Sequence, residues 1–387
     1  MQDTGNGLAQ IIGRFAVQLI IQYQPNSFIV RTLDALQKCR TPALGGHIER
    51  CECCKRERTT YNSCRNRHCP KCQAAKQAFW VEDRMKDALA VKYFHVVFTA
   101  PHELNELCMT NSEWFYNAMF QCAWHTLQGF GYSHYGVGSG AICILHTWGQ
   151  NLSLHPHIHC LVPAAGLNLK GNLKRITRHG KYLYPQAMLG PVFRGKLLGK
   201  VKWYLSAKGL PAAYQPMINL LYAKNWVVDV EPSFASPVHI VKYLSQYTHR
   251  VAITNQRIQQ IDKGGVTFQM KDYADHSKQK PIHLEGVEFL RRFCMHILPK
   301  RFVRIRYFGI LSSKMKCAFK PETLKPVPVA VKETPQDRLK RLLQFDVYQC
   351  PYCKKRQDAT HRSSTQNTCA IQSALSATVR NKNLMYR

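Results

Sequence analysis

Residues 155–162 read HPHIHCLV, with His155, His157 and His159 at every second position and Pro156, Ile158 and Cys160 between them. In a strand, successive side chains leave on opposite faces, so the three imidazoles share one face and the apolar residues the other. The apolar face asks for a core, and a buried face of imidazoles asks for something that satisfies it. A lone strand histidine is more often a contented core or surface residue. Two on one face, two residues apart, can both reach one metal ion. His157 and His159 are therefore the candidate pair. Upstream, AICILHTWG (141–149) reads as a strand, and after a short turn HPHIHCLV is its hairpin partner. His146 is the best third ligand and Gln150 its competitor, because a slip of one residue in register turns each side chain to the other face.

Working outward, YFHVVFTA (93–100) is a strand-like run ended by Pro101, and Glu103 to Leu127 has helical spacing. WVVDVEP reads as a strand. SPVHIVKYLSQYTHR reads as a helix, with Ser236 as N-cap and Pro237 in the first helical position. VAITNQRI with VTFQMKD is a further hairpin, EFLRRFCMHIL a helix and FVRIRYFGI a strand. Strands and helices mix without strict βαβ repetition, which favours an α+β fold with an antiparallel sheet and helices packed on it.

The 387 residues carry 54 Lys plus Arg against 23 Asp plus Glu, a net charge of +31 spread along the whole chain. Such an excess repels itself in a compact state unless a polyanion shares it, so nucleic acid is the leading partner; a generally basic soluble factor is the bland alternative. No run approaches the ~18 apolar residues of a membrane span. FAVQLII is too short, and MQDTGNG lacks the charged start of a signal peptide. A cytoplasmic protein with no membrane partner is expected.

Many of the sixteen cysteines sit in CxxC pairs beside Lys and Arg, which points to metal rather than disulfides. Cys51-x-x-Cys54 and Cys69-x-x-Cys72 are two knuckles separated by fourteen residues, a spacing that presents four thiolates to one tetrahedral Zn2+. Small core cysteines would not alternate with Lys55, Arg56, Arg65 and Arg67. Cys39, His47, Cys64 and His68 remain over, either for a second zinc site or as core residues. Ahead of them, Ile11, Ile12, Phe15 and Leu19 recur at helical spacing.

Six stretches resemble the insertion sequence 91 family of two-tyrosine HUH transposases: LGGH (44–47), SCRNRHCPKCQ (63–73), FTAPHELN (98–105), HTWGQNLSLHPHIHCLVP (146–163), KYLSQYTHRVAITNQRI (242–258) and LPKRFVRIRYFGIL (298–311). The resemblance implies a zinc-binding domain (41–85) and a sheet-based HUH nuclease domain (86–320); the helical spacing ahead of them gives a lead-in (1–40), and a tail (321–387) follows. The resemblance also implies rolling-circle transposition through cleavage of single-stranded or hairpin DNA at element ends and in target DNA, a divalent ion on His157 and His159, and nucleophiles at the paired tyrosines Tyr243 and Tyr247.

Elementary chemistry agrees. A phosphodiester is attacked once its charge is masked, and Mg2+ or Mn2+ on its non-bridging oxygens does so, although histidines equally suit zinc. Tyr243 and Tyr247, four apart on a helix, would share one face. Arg250, just past them, is the candidate phosphate contact. The tail departs from the family: a Pro-rich linker precedes YQCPYCKK, a single knuckle at Cys350 and Cys353 without an evident second half, and a loosely ordered end is expected. Two rival readings stand beside the transposase. A histidine-triad nucleotide hydrolase would use His157 as nucleophile, and a non-catalytic zinc DNA-binding protein would hold a structural metal on its histidines.

Overall fold

A computed structural model describes residues 7–86, 88–89, 91–176, 183–231, 249–273, 275–316 and 333–356. In chain order, α1 (Leu8–Tyr23) and α2 (Ser27–Gln37) precede a hairpin of β1 (Gly46–Arg50) and β2 (Glu57–Tyr61), then α3 (Ala74–Lys86) and β3 (Tyr93–Thr99). Helices α4 (Asn105–Thr110) and α5 (Ser112–Tyr135) lead into the long hairpin of β4 (Gly140–Trp148) and β5 (Leu154–Pro163), followed by the short pair β6 (Ala165–Leu167) and β7 (Leu173–Arg175). Next come α6 (Gln186–Ala207), α7 (Pro211–Ala223), β8 (Val228–Glu231), β9 (Ile258–Ile261), β10 (Gly265–Asp272), β11 (Lys278–Glu285), α8 (Gly286–Met295), β12 (Ile305–Gly309) and α9 (Pro335–Leu343).

The main sheet has the order β12-β4-β5-β3-β8 with antiparallel neighbours, and β11-β10-β9 form a second one. The class is α+β, as the mixed element order implied. Alternation along the central strands decides the site. Phe94, Val96 and Phe98 of β3, Ala141, Cys143 and Leu145 of β4, and Ile158, Cys160 and Val162 of β5 enter one core with the buried faces of α5 and α6. Helix α5 is started by Asn111, whose side chain accepts from the Trp114 amide, and stopped by Gly136 in the left-handed conformation at φ 63°. On the opposite face, Tyr93, Ile142, Ile144 and Leu161 form a smaller cluster that Trp80 and Val81 of α3 cover. The histidines continue this second face.

Two expectations are corrected. VAITNQRI becomes strand only at its end: Asn255–Arg257 is a 3-10 turn and β9 begins at Ile258. Side chains take the carbonyls that a ladder would need, since Arg304 donates to Arg250 O at 3.0 Å and Arg257 to Ala252 O at 3.3 Å. The helix read over SPVHIVKYLSQYTHR lies, except for its last two residues, outside the described residues.

The second correction concerns the domains. One compact unit comprises residues 1–37 and 66–334, the other residues 38–65 and 335–387, so neither the lead-in nor the tail stands apart. In the larger unit α1 packs on α8. Leu8 N–H donates to Asn255 Oδ1 at 3.2 Å, and a Cβ placed on Gly286 would meet the Phe15 ring at 2.4 Å, so glycine permits this approach. In the smaller unit, α9 and the knuckle after it lie with the β1–β2 hairpin. Among the described residues no helix is long and apolar enough to cross a membrane.

Candidate functional site

The β4–β5 register sets His146 opposite His157 and Ile144 opposite His159, with an irregularity between His146 and Trp148 where the strands part into the turn. Ligand nitrogens of His146, His157 and His159 all lie within 4.8 Å of one another. Gln150 does not join them. Its amide donates to Tyr273 Oη at 3.3 Å, and its carbonyl accepts from the Arg257 guanidinium. His155 is exposed at the mouth of the pocket.

Burial holds the His157 imidazolium down to about 4 and that of His159 well below its ordinary value, with neighbouring imidazoles and Arg250 acting in the same direction. Both rings are neutral at pH 7, each with one nitrogen lone pair to give. The hydrogen bonds assign which. His157 Nδ1–H donates to the His155 carbonyl at 2.7 Å, leaving Nε2 as acceptor. His95 of β3, opposite Leu161, extends the network: its Nδ1 lies 2.9 Å from Glu231 Oε2 and its Nε2 lies 2.9 Å from His159 Nδ1. The carboxylate takes the His95 Nδ1–H, so His95 Nε2 accepts from His159 Nδ1–H and His159 Nε2 carries the lone pair. A carboxylate-histidine-histidine chain of this kind orients a ligand. Two neutral imidazoles with fixed tautomers, and His146 within reach of both, fit a divalent ion.

These groups open into a cavity of about 530 Å3, also lined by Arg250, Lys271, Asp229, Asp272 and Tyr273. Arg250 thus lies in the same pocket as the histidines. Its companion Arg257 holds the rim, donating to Gln269 O at 2.8 Å, to Ala252 O and to Gln150 O while stacked over Phe268, and burial lowers its guanidinium to about 10. Tyr243 and Tyr247 lie outside the described residues. The sequence reading missed His95 and Glu231. The signal it could have used is an imidazole on the odd-numbered face of YFHVVFTA, the face that His157 and His159 take on the next strand.

The cysteine assignment is corrected in its grouping. Cys51 and Cys54 stand with Cys350 and Cys353 in the smaller unit, all four sulfurs within 4.8 Å of one another. Cys69 and Cys72 belong to the other unit, where they form a tight turn with Cys72 N–H on Cys69 O at 3.2 Å. The sequence distance of fourteen residues misled because a partner for the first knuckle comes from almost 300 residues away. Cys64 N–H donates to Cys39 Sγ at 3.4 Å. His47 faces Glu49 at 3.5 Å, and His68, held down to about 3 by burial and then by Arg304 and Arg67, is outside every candidate metal group among the described residues.

Comparison with known proteins adds an independent line. Residues 140–318 match a family model described as a putative transposase, and residues 11–100 match a transposase zinc-binding domain. The putative transposase y4qJ of Sinorhizobium fredii is 36% identical over 382 residues, 93% of this chain and 96% of that protein. The transposase for insertion sequence element IS801 of Pseudomonas savastanoi pv. phaseolicola is 26% identical over 344 residues, covering 84% and 82% respectively. No solved structure matches the chain.

Proposed function

Since the chain belongs to the insertion sequence 91 family of transposases, we propose that it cuts and rejoins single-stranded or hairpin DNA through 5′-phosphotyrosine links in a rolling-circle reaction at element ends and in target DNA. The observation that carries this reading is the group of three imidazoles, His146, His157 and His159, in an open pocket shared with Arg250 and Lys271. His157, His159 and His146 would hold Mg2+ or Mn2+, and the all-nitrogen donor set favours the softer Mn2+. Bound there, the ion supplies Lewis acidity to a phosphate's non-bridging oxygens.

The chain's own residues do the rest. Glu231 and His95 keep the His159 lone pair turned into the pocket, and Arg250 neutralises phosphate charge. Tyr243 or Tyr247 attacks phosphorus through its phenolic oxygen and gives up its proton, while the bond to the 3′-oxygen breaks and that oxygen takes a proton. The products are a 5′-phosphotyrosine and a free 3′-OH. A phenolic ester keeps the step reversible, so the 3′-OH can return, and a second tyrosine allows a second cut while the first end is held. Cys69 and Cys72 keep their assignment to structural zinc.

The test is a denaturing gel of labelled single-stranded substrate with Tyr243→Phe and Tyr247→Phe. Each single variant is expected to block transposition and the double variant to form no adduct. An adduct surviving in the double variant would move the nucleophile elsewhere, with Tyr273 of the pocket lining the first to replace. A histidine-triad hydrolase would instead cleave a nucleoside phosphoramidate, and a non-catalytic zinc protein would bind DNA and leave it whole.

A further inference from the structure

The tail knuckle repeats the N-terminal one in sequence and in backbone. Cys51-x-x-Cys54-Lys55-Arg56 and Cys350-x-x-Cys353-Lys354-Lys355 fold alike: Cys51 N–H donates to Arg56 O at 2.9 Å and Cys350 N–H to Lys355 O at 3.0 Å. Lys55 N–H reaches Cys51 O at 2.8 Å and Lys354 N–H reaches Cys350 O at 3.0 Å. Both lysines take the left-handed conformation, at φ 57° and 61°. Each knuckle also closes a pair of extended segments, Arg50 with Glu57 in the first and Gln349 with Arg356 in the second.

The two knuckles face each other crosswise, Cys51 Sγ 3.6 Å from Cys353 Sγ and Cys54 Sγ 3.8 Å from Cys350 Sγ. A disulfide needs about 2.05 Å. Four thiolates at about 2.3 Å from one tetrahedral Zn2+ are separated by about 3.8 Å, the edge of that tetrahedron. Observed spacings match the second figure. The surroundings suit it too, because a tetrathiolate zinc centre carries net negative charge and Lys55, Arg56, Lys354, Lys355 and Arg356 follow the ligands along the chain. The Arg56 guanidinium lies 5.3 Å over the Tyr352 ring, tying one knuckle to the other. Cys53, exposed, stays outside the set.

We propose that Cys51, Cys54, Cys350 and Cys353 bind one structural Zn2+ that clasps the C-terminal segment to the N-terminal hairpin, so that the zinc module is completed by the tail. A metal that closes so long a loop removes much conformational freedom from the unfolded chain. Phe345 and Val347 of the tail then line one groove with Arg40, Arg58 and Tyr61, which makes the tail part of the module's surface. The proposal goes beyond the transposase reading and does not depend on it.

The test uses the full chain and reads metal, not cleavage. Cys350→Ser with Cys353→Ser should lower zinc content by about one equivalent relative to the unmodified chain and leave residues beyond 334 open to limited proteolysis. Cys353→His, which keeps a ligand, should retain metal, and its Co2+-substituted form should show the change from an all-sulfur to a sulfur-and-nitrogen spectrum. Zinc content unchanged in the double serine variant, a Co2+ spectrum unchanged in Cys353→His, or a loss of four titratable thiols in the denatured, unreduced chain, which would mean disulfides, each overturns the clasp.

Discussion

His95 stands between a carboxylate and a proposed metal ligand, and this position gives it a measurable role. Its ring is buried, whereas the Glu231 carboxylate on its far side is 44% exposed, so Glu231 can be changed without opening the core. Removing the acceptor frees the tautomer chain that points the His159 lone pair into the pocket. Glu231→Ala is expected to weaken Mn2+ binding by roughly tenfold or more in calorimetric titration, and Glu231→Gln, whose amide oxygen still accepts, to recover part of it. Equal affinity in all three proteins would remove the relay. His157→Ala with His159→Ala should abolish both Mn2+ binding and nicking while DNA binding persists, and undiminished nicking would overturn the metal assignment. At this scale the sequence was informative where chemistry followed the strand period. His157, His159 and His146 could be placed because alternation and one hairpin register put them on one face. His95 and Glu231 could not, because β3 and β8 meet them through pairings over more than 60 residues that no local pattern encodes.

At the level of elements, the pocket depends on the β4–β5 turn, which α8 and the segment after it hold in place. His296 Nε2–H donates to Leu152 O at 3.1 Å and its Nδ1 accepts from Thr147 at 3.2 Å, while Arg292 reaches Asn151 O at 3.2 Å. Complete burial lowers the His296 imidazolium to about 4. In the unfolded chain a histidine titrates near ~6.5, so between these values the unfolded state binds more protons and folding stability rises with pH. The contribution is full above pH ~6.5 and is lost as the pH falls towards 4, on the order of 3 kcal/mol. His296→Gln keeps a donor and an acceptor and does not titrate. The stability gap between the two proteins in urea unfolding is therefore expected to shrink, and then reverse, from pH 7 to pH 4.5; a gap independent of pH would show that His296 does not carry this dependence. Strands at 93, 141 and 154 and helix α8 were legible because their apolar periods are clean. The start of VAITNQRI was not, since its strand-like composition cannot reveal that arginine side chains take its carbonyls.

Across the whole molecule, what local reading cannot supply is connection at a distance. The tail knuckle looked solitary because its partners precede it by almost 300 residues, and the lead-in looked separate because Phe15 and Gly286 meet only in the folded chain. Charge is the property that needs no such connection. With 54 cationic and 23 acidic side chains, Lys and Arg dominate the charge of the chain, and binding a polyanion releases the counterions condensed on it. For single strands the logarithm of affinity falls with the logarithm of salt by about 0.7 for each phosphate neutralised. Six or more such contacts imply a loss of at least about a hundredfold between 50 and 200 mM salt. Arg250, in the histidine pocket, is one proposed contact, so Arg250→Ala should reduce the slope by about 0.7 and weaken binding alike for all sequences. Fluorescence anisotropy with labelled oligonucleotides across a salt series reads both quantities. Binding that ignores salt would count against DNA as the partner that accounts for the charge. A steep wild-type slope left unchanged by Arg250→Ala would keep DNA as that partner and place the pocket arginine away from the phosphates.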